Sequence, residues 1–374
     1  SILSINKAQK VIKMIETTSQ LTLMGELIKP YNLPTTRYQG SKAKIVEWIW
    51  DNIKEVEFES ALDAFGGTGI VGYFLKIKGK HVFYNDILNS NYYIGTALIE
   101  NDAIRLSEND IDFLLQPHRD TDYPTFIQDT FADIYYTNEE NRWLDMVIRN
   151  IENLDNFYKR TLAYYALFQS CIIKRPYNLF HRKTLYMRTS NVKRSFGNKT
   201  TWDTPFEEHF SNFVNEANRC VFSNGKENSA SNLDVFNIEG DFDLVYIDTP
   251  YISKAGVGVD YLDFYHFLEG VVNYRKWEDM IDYRSKHRRI KHIKPVWCDK
   301  NKIYTAFNNL FKKFQDAAIV VSYRSDGIPS ITDLKSILRK YKPVVREERY
   351  SGYKYVLSNN NSEECLLLGL DGKG

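Results

Sequence analysis

The sequence predicts an α/β protein built on a doubly wound, mostly parallel sheet, with a C-terminal β-hairpin and a long, largely helical insertion. Three observations carry that prediction. A short apolar run, Ser60 to Phe65, breaks into the glycine loop Gly66-Gly67-Thr68-Gly69. A second run, His81 to Tyr84, ends in Asn85-Asp86. Strand, glycine loop, helix and strand make the opening βαβ unit of such a sheet. Much later a third run, Asp243 to Ile247, leads without a break into Asp248-Thr249-Pro250-Tyr251. In doubly wound sheets the ends of strands bear the chemistry.

In chain order, residues 7 to 28 set Val11, Ile12, Ile15, Leu23, Met24 and Leu27 at mostly helical spacing, and Pro30 and Pro34 close the segment. Residues 1–34 therefore read as an N-terminal helical extension. Residues 35–108 open a catalytic domain, with a helix expected from Ile45 to Ile53. From 109 to 229 the alternation of strand and helix is lost, which marks an inserted domain. Residues 230–374 return to the sheet, with a strand at Ala318 to Tyr323 after the third run. A closing hairpin is expected from Lys354–Leu357 and Cys365–Leu368 around the polar turn Ser358 to Ser362.

A chain of 374 residues is long enough for one large core with a smaller insert. The net charge of +1 leaves the choice of partner to local patterning. Cys171, Cys220, Cys298 and Cys365 form no C-x-x-C pair, so neither a metal cluster nor a redox dithiol is expected. No apolar stretch reaches the roughly 18 residues of a membrane span, and the N-terminus has no signal-type apolar core. A cytoplasmic protein without membrane contact is expected. The 26 tyrosines suit a surface that stacks on bases.

The glycine loop fits neither G-x-G-x-x-G nor the lysine-bearing phosphate loop, which favours a nucleoside ligand without a phosphate chain. Asp86, about twenty residues further on, stands where a carboxylate accepts hydrogen bonds from ribose hydroxyls. The tetrapeptide suits methyl transfer to a ring-bound amine. Such an amine is a poor nucleophile because its lone pair is delocalised into the ring. Two acceptors that hold its hydrogens draw the nitrogen toward tetrahedral geometry. Asp248 is one acceptor. The carbonyl of Thr249 is the other, its direction fixed because a residue before proline is held extended. Tyr251 would stack on an extruded base.

Arg37-Tyr38-Gln39-Gly40-Ser41-Lys42, Asp63-Ala64-Phe65-Gly66-Gly67-Thr68-Gly69, Asn85-Asp86 and Asp248-Thr249-Pro250-Tyr251 occur in that order with a long insert before the last. This set resembles the Dam-like adenine-amine DNA methyltransferases. The resemblance implies a Rossmann-like fold dependent on S-adenosylmethionine, with residues 109–229 as target-recognition domain. It also implies Tyr38 and Lys42 as cofactor residues, the lysine suiting the methionine carboxylate. Asp63, Phe65, Gly66, Gly67 and Gly69 correspond to the methionine side of the pocket, Asp86 to the ribose ligand and Asp234 to the residue at the cofactor adenine. The family tetrapeptide usually carries proline where Thr249 stands. Ser322-Tyr323-Arg324 resembles a later family segment of Ser-Tyr-Asn type, with no role expected for Arg324.

From Cys171 to Thr200 the insert carries Lys174, Arg175, Arg182, Lys183, Arg188, Lys193, Arg194 and Lys199, no acid, and interleaved aromatics. These are expected DNA contacts. A second basic stretch, Arg284 to Lys291, follows the catalytic motif and is a candidate for the DNA backbone. The expected partners are double-stranded DNA and, without direct contact, a cognate restriction endonuclease acting on the same site. Methylation of a cytosine amine, an RNA substrate and a non-enzymatic DNA-binding module remain open at this point.

Overall fold

The computed structural model describes residues 32–35, 37–190, 199–350 and 362–372. The fold described is that of the unit Leu33–Gly374, and the helical pattern at residues 7–28 lies outside the described residues. Among the described residues the strands in chain order are β1 (Ser60–Asp63), β2 (His81–Asn85), β3 (Ser229–Ser231), β4 (Leu244–Ile247), β5 (Ile252–Ser253), β6 (Ala318–Arg324), β7 (Gly327–Ile328), β8 (Val344–Tyr350) and β9 (Glu364–Leu370). Seven make one sheet in the order β3-β2-β1-β4-β6-β9-β8, while β5 and β7 pair separately. The first five are parallel, and β9 runs antiparallel between β6 and β8.

β4 is buried at all four positions, Leu-Val-Tyr-Ile, as a central parallel strand covered on both faces must be. Helix α1 (Val46–Ile53) precedes the sheet, α2 (Ile70–Ile77) leaves the glycine loop, and α3 (Asn89–Gly95) follows β2. In the insertion, α4 (Asn138–Glu152) opens with a reciprocal capping box between Thr137 and Glu140. Helix α5 (Phe157–Ile173) is buried without a break from Thr161 to Ile172, which makes it an interior helix. It packs against α3 and against α6 (Phe206–Cys220), with Tyr164 edge-on to Tyr93 at 5.3 Å.

After β4 come α7 (Tyr261–Val272), α8 (Ile303–Lys313) and α9 (Ile331–Leu338). The last two press Phe307, Leu310, Phe311, Leu334 and Leu338 onto Leu62, Val245, Ile319, Val321 and Leu367 of the sheet. Each such side chain contributes about 1.5–3 kcal/mol of burial. The hairpin closes the sheet with β9 where the sequence predicts it. Its described first arm is β8, upstream of Lys354–Leu357, which lies outside the described residues. β8 reads Val-Val-Arg-Glu-Glu-Arg-Tyr at the sheet edge, half-exposed along its length. Charges there block further strand pairing, so no apolar run announces the strand.

Candidate active site

The strand order reverses between β1 and β4, which opens a crevice at their carboxyl ends. Asp63 closes β1 and stands in register with Tyr84 of β2 and Tyr246 of β4. Asp86 follows β2 and Asp248 follows β4. All three acids line one cavity of about 390 Å³.

The carboxylates of Asp63 and Asp86 are held by main-chain amides. Asp63 Oδ2 accepts from Gly72 N at 2.9 Å, and burial pushes its carboxyl up to about 7. Asp86 accepts from Gly67 N at 2.9 Å and Leu88 N at 2.8 Å, and burial pushes it to about 6 against those bonds. The loop needs glycine for two separate reasons. A Cβ on Gly66 would lie 2.0 Å from the Tyr84 ring, whereas Gly67 has φ +51° and a Cβ there would project into open space. Gly69 caps α2, and Phe65 meets Trp297 edge-on at 5.1 Å. Asn85 ties the wall together: its amide donates to Leu233 O at 3.0 Å and its carbonyl accepts from Leu233 N at 3.0 Å. Asp234 lines the cavity from an exposed position and accepts from Phe236 N at 2.9 Å.

Tyr38 forms the opposite wall. Its ring stacks on Tyr265 at 3.8 Å and on Tyr261 at 5.5 Å, both from α7, and Gln39 N donates to the Tyr265 hydroxyl at 2.7 Å. Lys42 is buried with its ammonium 3.0 and 2.9 Å from the two oxygens of Asp248 and 3.5 Å from Glu364. It therefore pairs with the aspartate of the tetrapeptide while also lining the cavity. Ser322 Oγ donates to the same buried Glu364. The side chain of Asp248 keeps 24% exposure, toward the cavity it lines. Burial raises its carboxyl, Lys42 lowers it, Glu364 raises it, and the balance falls at about 6.

The rest of the tetrapeptide is tied to the downstream chain. Tyr251 O accepts from Val259 N at 3.0 Å, and β5 pairs Ile252 with Ile328 of β7. Thr249 is buried, and its Oγ1 finds no hydrogen-bond partner among the described residues. Pro250 lines the cavity. Arg324 lies with its guanidinium carbon 4.5 Å from the centre of the Tyr251 ring, clamped by Asp326 at 2.5 and 2.8 Å. Sequence reasoning missed Glu364, Tyr261, Tyr265 and the contacts of Ser322 and Arg324. A charged residue opening an otherwise apolar run at Cys365 to Leu368 was the one available sign of Glu364.

The basic run of the insert needs correction. Lys174, Arg175 and Arg188 are interior, 1%, 2% and 5% exposed. Lys174 donates to Trp202 O at 2.8 Å and Thr204 O at 2.5 Å and pairs with Glu140 at 3.0 Å. Arg188 grips Glu140 with both terminal nitrogens, at 2.9 and 2.6 Å. Burial pushes Glu140 up, yet Arg188 and Lys174 hold it below its usual range. Arg175 donates to Leu179 O, Tyr135 O, Arg182 O and Thr184 Oγ1 and covers the Tyr135 ring. Nearly all their donors are spent on interior acceptors, and Arg188 Nε, which has no hydrogen-bond partner among the described residues, is buried away from any phosphate, so these three cations cement the insertion. Arg182 and Lys183 are exposed, and exposed Lys199 pairs with Asp203 at 2.9 Å. Lys193 and Arg194 lie outside the described residues.

Comparison with known proteins bears on this geometry. The chain is similar to the Type II methyltransferase M2.HphI of Haemophilus parahaemolyticus, 30% identical over 90% of this chain and 97% of that protein. It is similar to the Type II methyltransferase M.NlaIII of Neisseria lactamica, 23% identical over 88% of this chain and 95% of the relative. Modification methylase StsI of Streptococcus sanguinis is 27% identical over 82% of this chain but 46% of its own length, so the chain spans about half of that relative. A family model of D12 class N6 adenine-specific DNA methyltransferases matches residues 38–337, from the Tyr38 wall past the β5–β7 ladder. The chain belongs to the D12 class of N6 adenine-specific DNA methyltransferases.

Proposed function

We propose that the chain takes its methyl group from S-adenosylmethionine and delivers it to the N6 amine of an adenine extruded from one specific duplex sequence. We propose further that this modification shields host DNA, in the cytoplasm, from a restriction endonuclease that reads the same site without contacting this chain. The carrying observation is the distribution of charge in the cavity. The amide of Gly72 in the first turn of α2 is already occupied by the chain's own Asp63. A helix start filled by a carboxylate repels a phosphate and welcomes a cation. That fits a zwitterionic sulfonium nucleoside and disfavours a dinucleotide.

Asp63 and the Phe65–Gly69 loop, with Tyr38, would hold the methionine part, Asp86 the ribose and Asp234 the adenine. When bound, the cofactor supplies an electrophilic methyl group. The chain supplies the rest. Asp248 accepts one N6 hydrogen and the Thr249 carbonyl the other, so the nitrogen lone pair is aimed out of the ring plane. Lys42 keeps Asp248 ionised and oriented. Tyr251, backed by Arg324, stacks on the base. The amine becomes strongly acidic only as it gains positive charge, so no base is needed before attack. We read residues 109–229 as the target-recognition insert, with Arg182 and Lys183 as exposed candidates for phosphate.

The test is product identification. Unmodified duplex DNA incubated with the chain and methyl-labelled S-adenosylmethionine should yield N6-methyl-2′-deoxyadenosine on digestion. Asp248→Asn should cut the rate by about 10²–10³-fold, the usual effect of losing one transition-state hydrogen-bond partner. Label found only in cytosine, or only in RNA, would overturn the reading.

A further inference from the structure

Ile293 is 95% exposed, more than any other large hydrophobic side chain among the described residues, and it lines the mouth of the cavity that holds Asp248. A lone exposed aliphatic needs no explanation by itself. Its mounting does. Upstream, buried Ile290 bridges Ile281, and Lys291 N donates to Met280 O at 2.8 Å. His292 sits with Nε2 2.7 Å from Asp260 Oδ2 and Nδ1 3.1 Å from Ile290 O. Both partners are acceptors that fix the ring, and the Asp260 hydrogen bond raises its pKa. Downstream, Pro295 restricts the backbone and buried Trp297 packs edge-on to Phe65 and Phe307. The isoleucine is thus held out in water by a tip anchored on both sides.

Exposed Lys291 and Lys294 flank it. An apolar point between two cations, at the entrance to a base-sized cavity, matches duplex DNA, which offers phosphates on either side of a stack. Extruding adenine leaves a hole that water fills poorly and an aliphatic side chain fills well. Resting on the reading that the adenine is methylated outside the helix, we propose that Ile293 enters the duplex at the step the adenine vacates, with Lys291 and Lys294 against the flanking phosphates. In that role it is a positioning residue, acting on the base through the stack.

The experiment uses the full chain and two duplexes carrying the methylated site found by product analysis: one intact, one with an abasic position opposite the target adenine. Ile293→Ala should lower kcat/KM on the intact duplex by about tenfold. On the abasic duplex, where extrusion meets less resistance, it should recover to within about threefold of the parent. Cofactor affinity by calorimetry should stay unchanged. With 2-aminopurine at the target, the parent should brighten on binding and the variant should brighten less. Equal activity on the intact duplex, or the same loss on both duplexes, overturns the proposal. A loss accounted for by weaker cofactor binding overturns it too and makes Ile293 a cover for the cofactor. Failure of the parent to methylate adenine in either duplex would instead overturn the functional reading.

Discussion

The two ends of the cavity hold their acids in different ways. Asp63 and Asp86 are fixed by main-chain amides from Gly72, Gly67 and Leu88, so they are placed but not neutralised. Asp248 has its own cation, since Lys42 touches both of its oxygens. Burial lifts all three carboxyls. A buried carboxylate without a counter-charge is costly until a ligand arrives with donors or a positive charge. On the proposed reading, the cofactor end is built to be completed by what binds. The target end would act on a neutral amine that brings no charge of its own, and it carries its own cation in Lys42.

That contrast is sharpest at Asp86. If its task is to receive ribose hydroxyls, Asp86→Asn removes two charge-assisted hydrogen bonds, each worth about 1.5–3 kcal/mol. Cofactor affinity should fall by about 10²–10⁴-fold, measured by calorimetry without DNA. Turnover at saturating cofactor should stay within a small factor of the parent. A variant that binds cofactor normally but turns over slowly would move Asp86 from the binding end to the reacting end and erase the distinction.

Much of this arrangement was legible in the sequence, because it depends on local transitions. Apolar runs that end abruptly at the Gly66–Gly69 loop, at Asn85-Asp86 and at Asp248 mark strand ends whatever the rest of the chain does. What was not legible depends on packing. Lys174, Arg175 and Arg188 look like a DNA surface when read along the chain, yet Glu140 and the carbonyls of Tyr135, Trp202 and Thr204 draw them inward. Charge patterning reports which residues are cationic and cannot report which face water. Glu364 was missed for a related reason: it lies far from both Lys42 and Asp248 in sequence and meets Lys42 only because β9 inserts beside β6. Edge strand β8 was not foreseen because charges replace apolar residues there.

Lys42 tests the contrast from the other side. The sequence points it at the cofactor; the structure sets it on Asp248. Asp248 must be ionised to accept from the amine. With its pKa raised to about 6, activity is present above that value and is lost as pH falls through it. Lys42 is the force that lowers this pKa, while burial and Glu364 raise it. Lys42→Met should therefore move the acid limb of the rate profile upward by about one unit or more, a loss of about tenfold near pH 6 that higher pH restores. Weaker cofactor binding with the acid limb unmoved would instead return Lys42 to the cofactor end.

The smallest effect is expected at Thr249, where the family tetrapeptide usually has proline. Its contribution in this reading is a carbonyl, and Pro250 restrains that carbonyl whatever side chain residue 249 carries. The hydroxyl is buried without a hydrogen-bond partner among the described residues. A polar group in that position costs stability. Thr249→Val keeps the branched shape, which suits the extended backbone before proline, and replaces the orphan hydroxyl with a methyl group. The variant should unfold at higher denaturant, by about 1 kcal/mol, while methylating at a rate within about threefold of the parent. A loss of tenfold or more in kcat with stability unchanged would mean that the hydroxyl meets the substrate. The target end would then hold its amine with a side chain where the carbonyl alone now suffices.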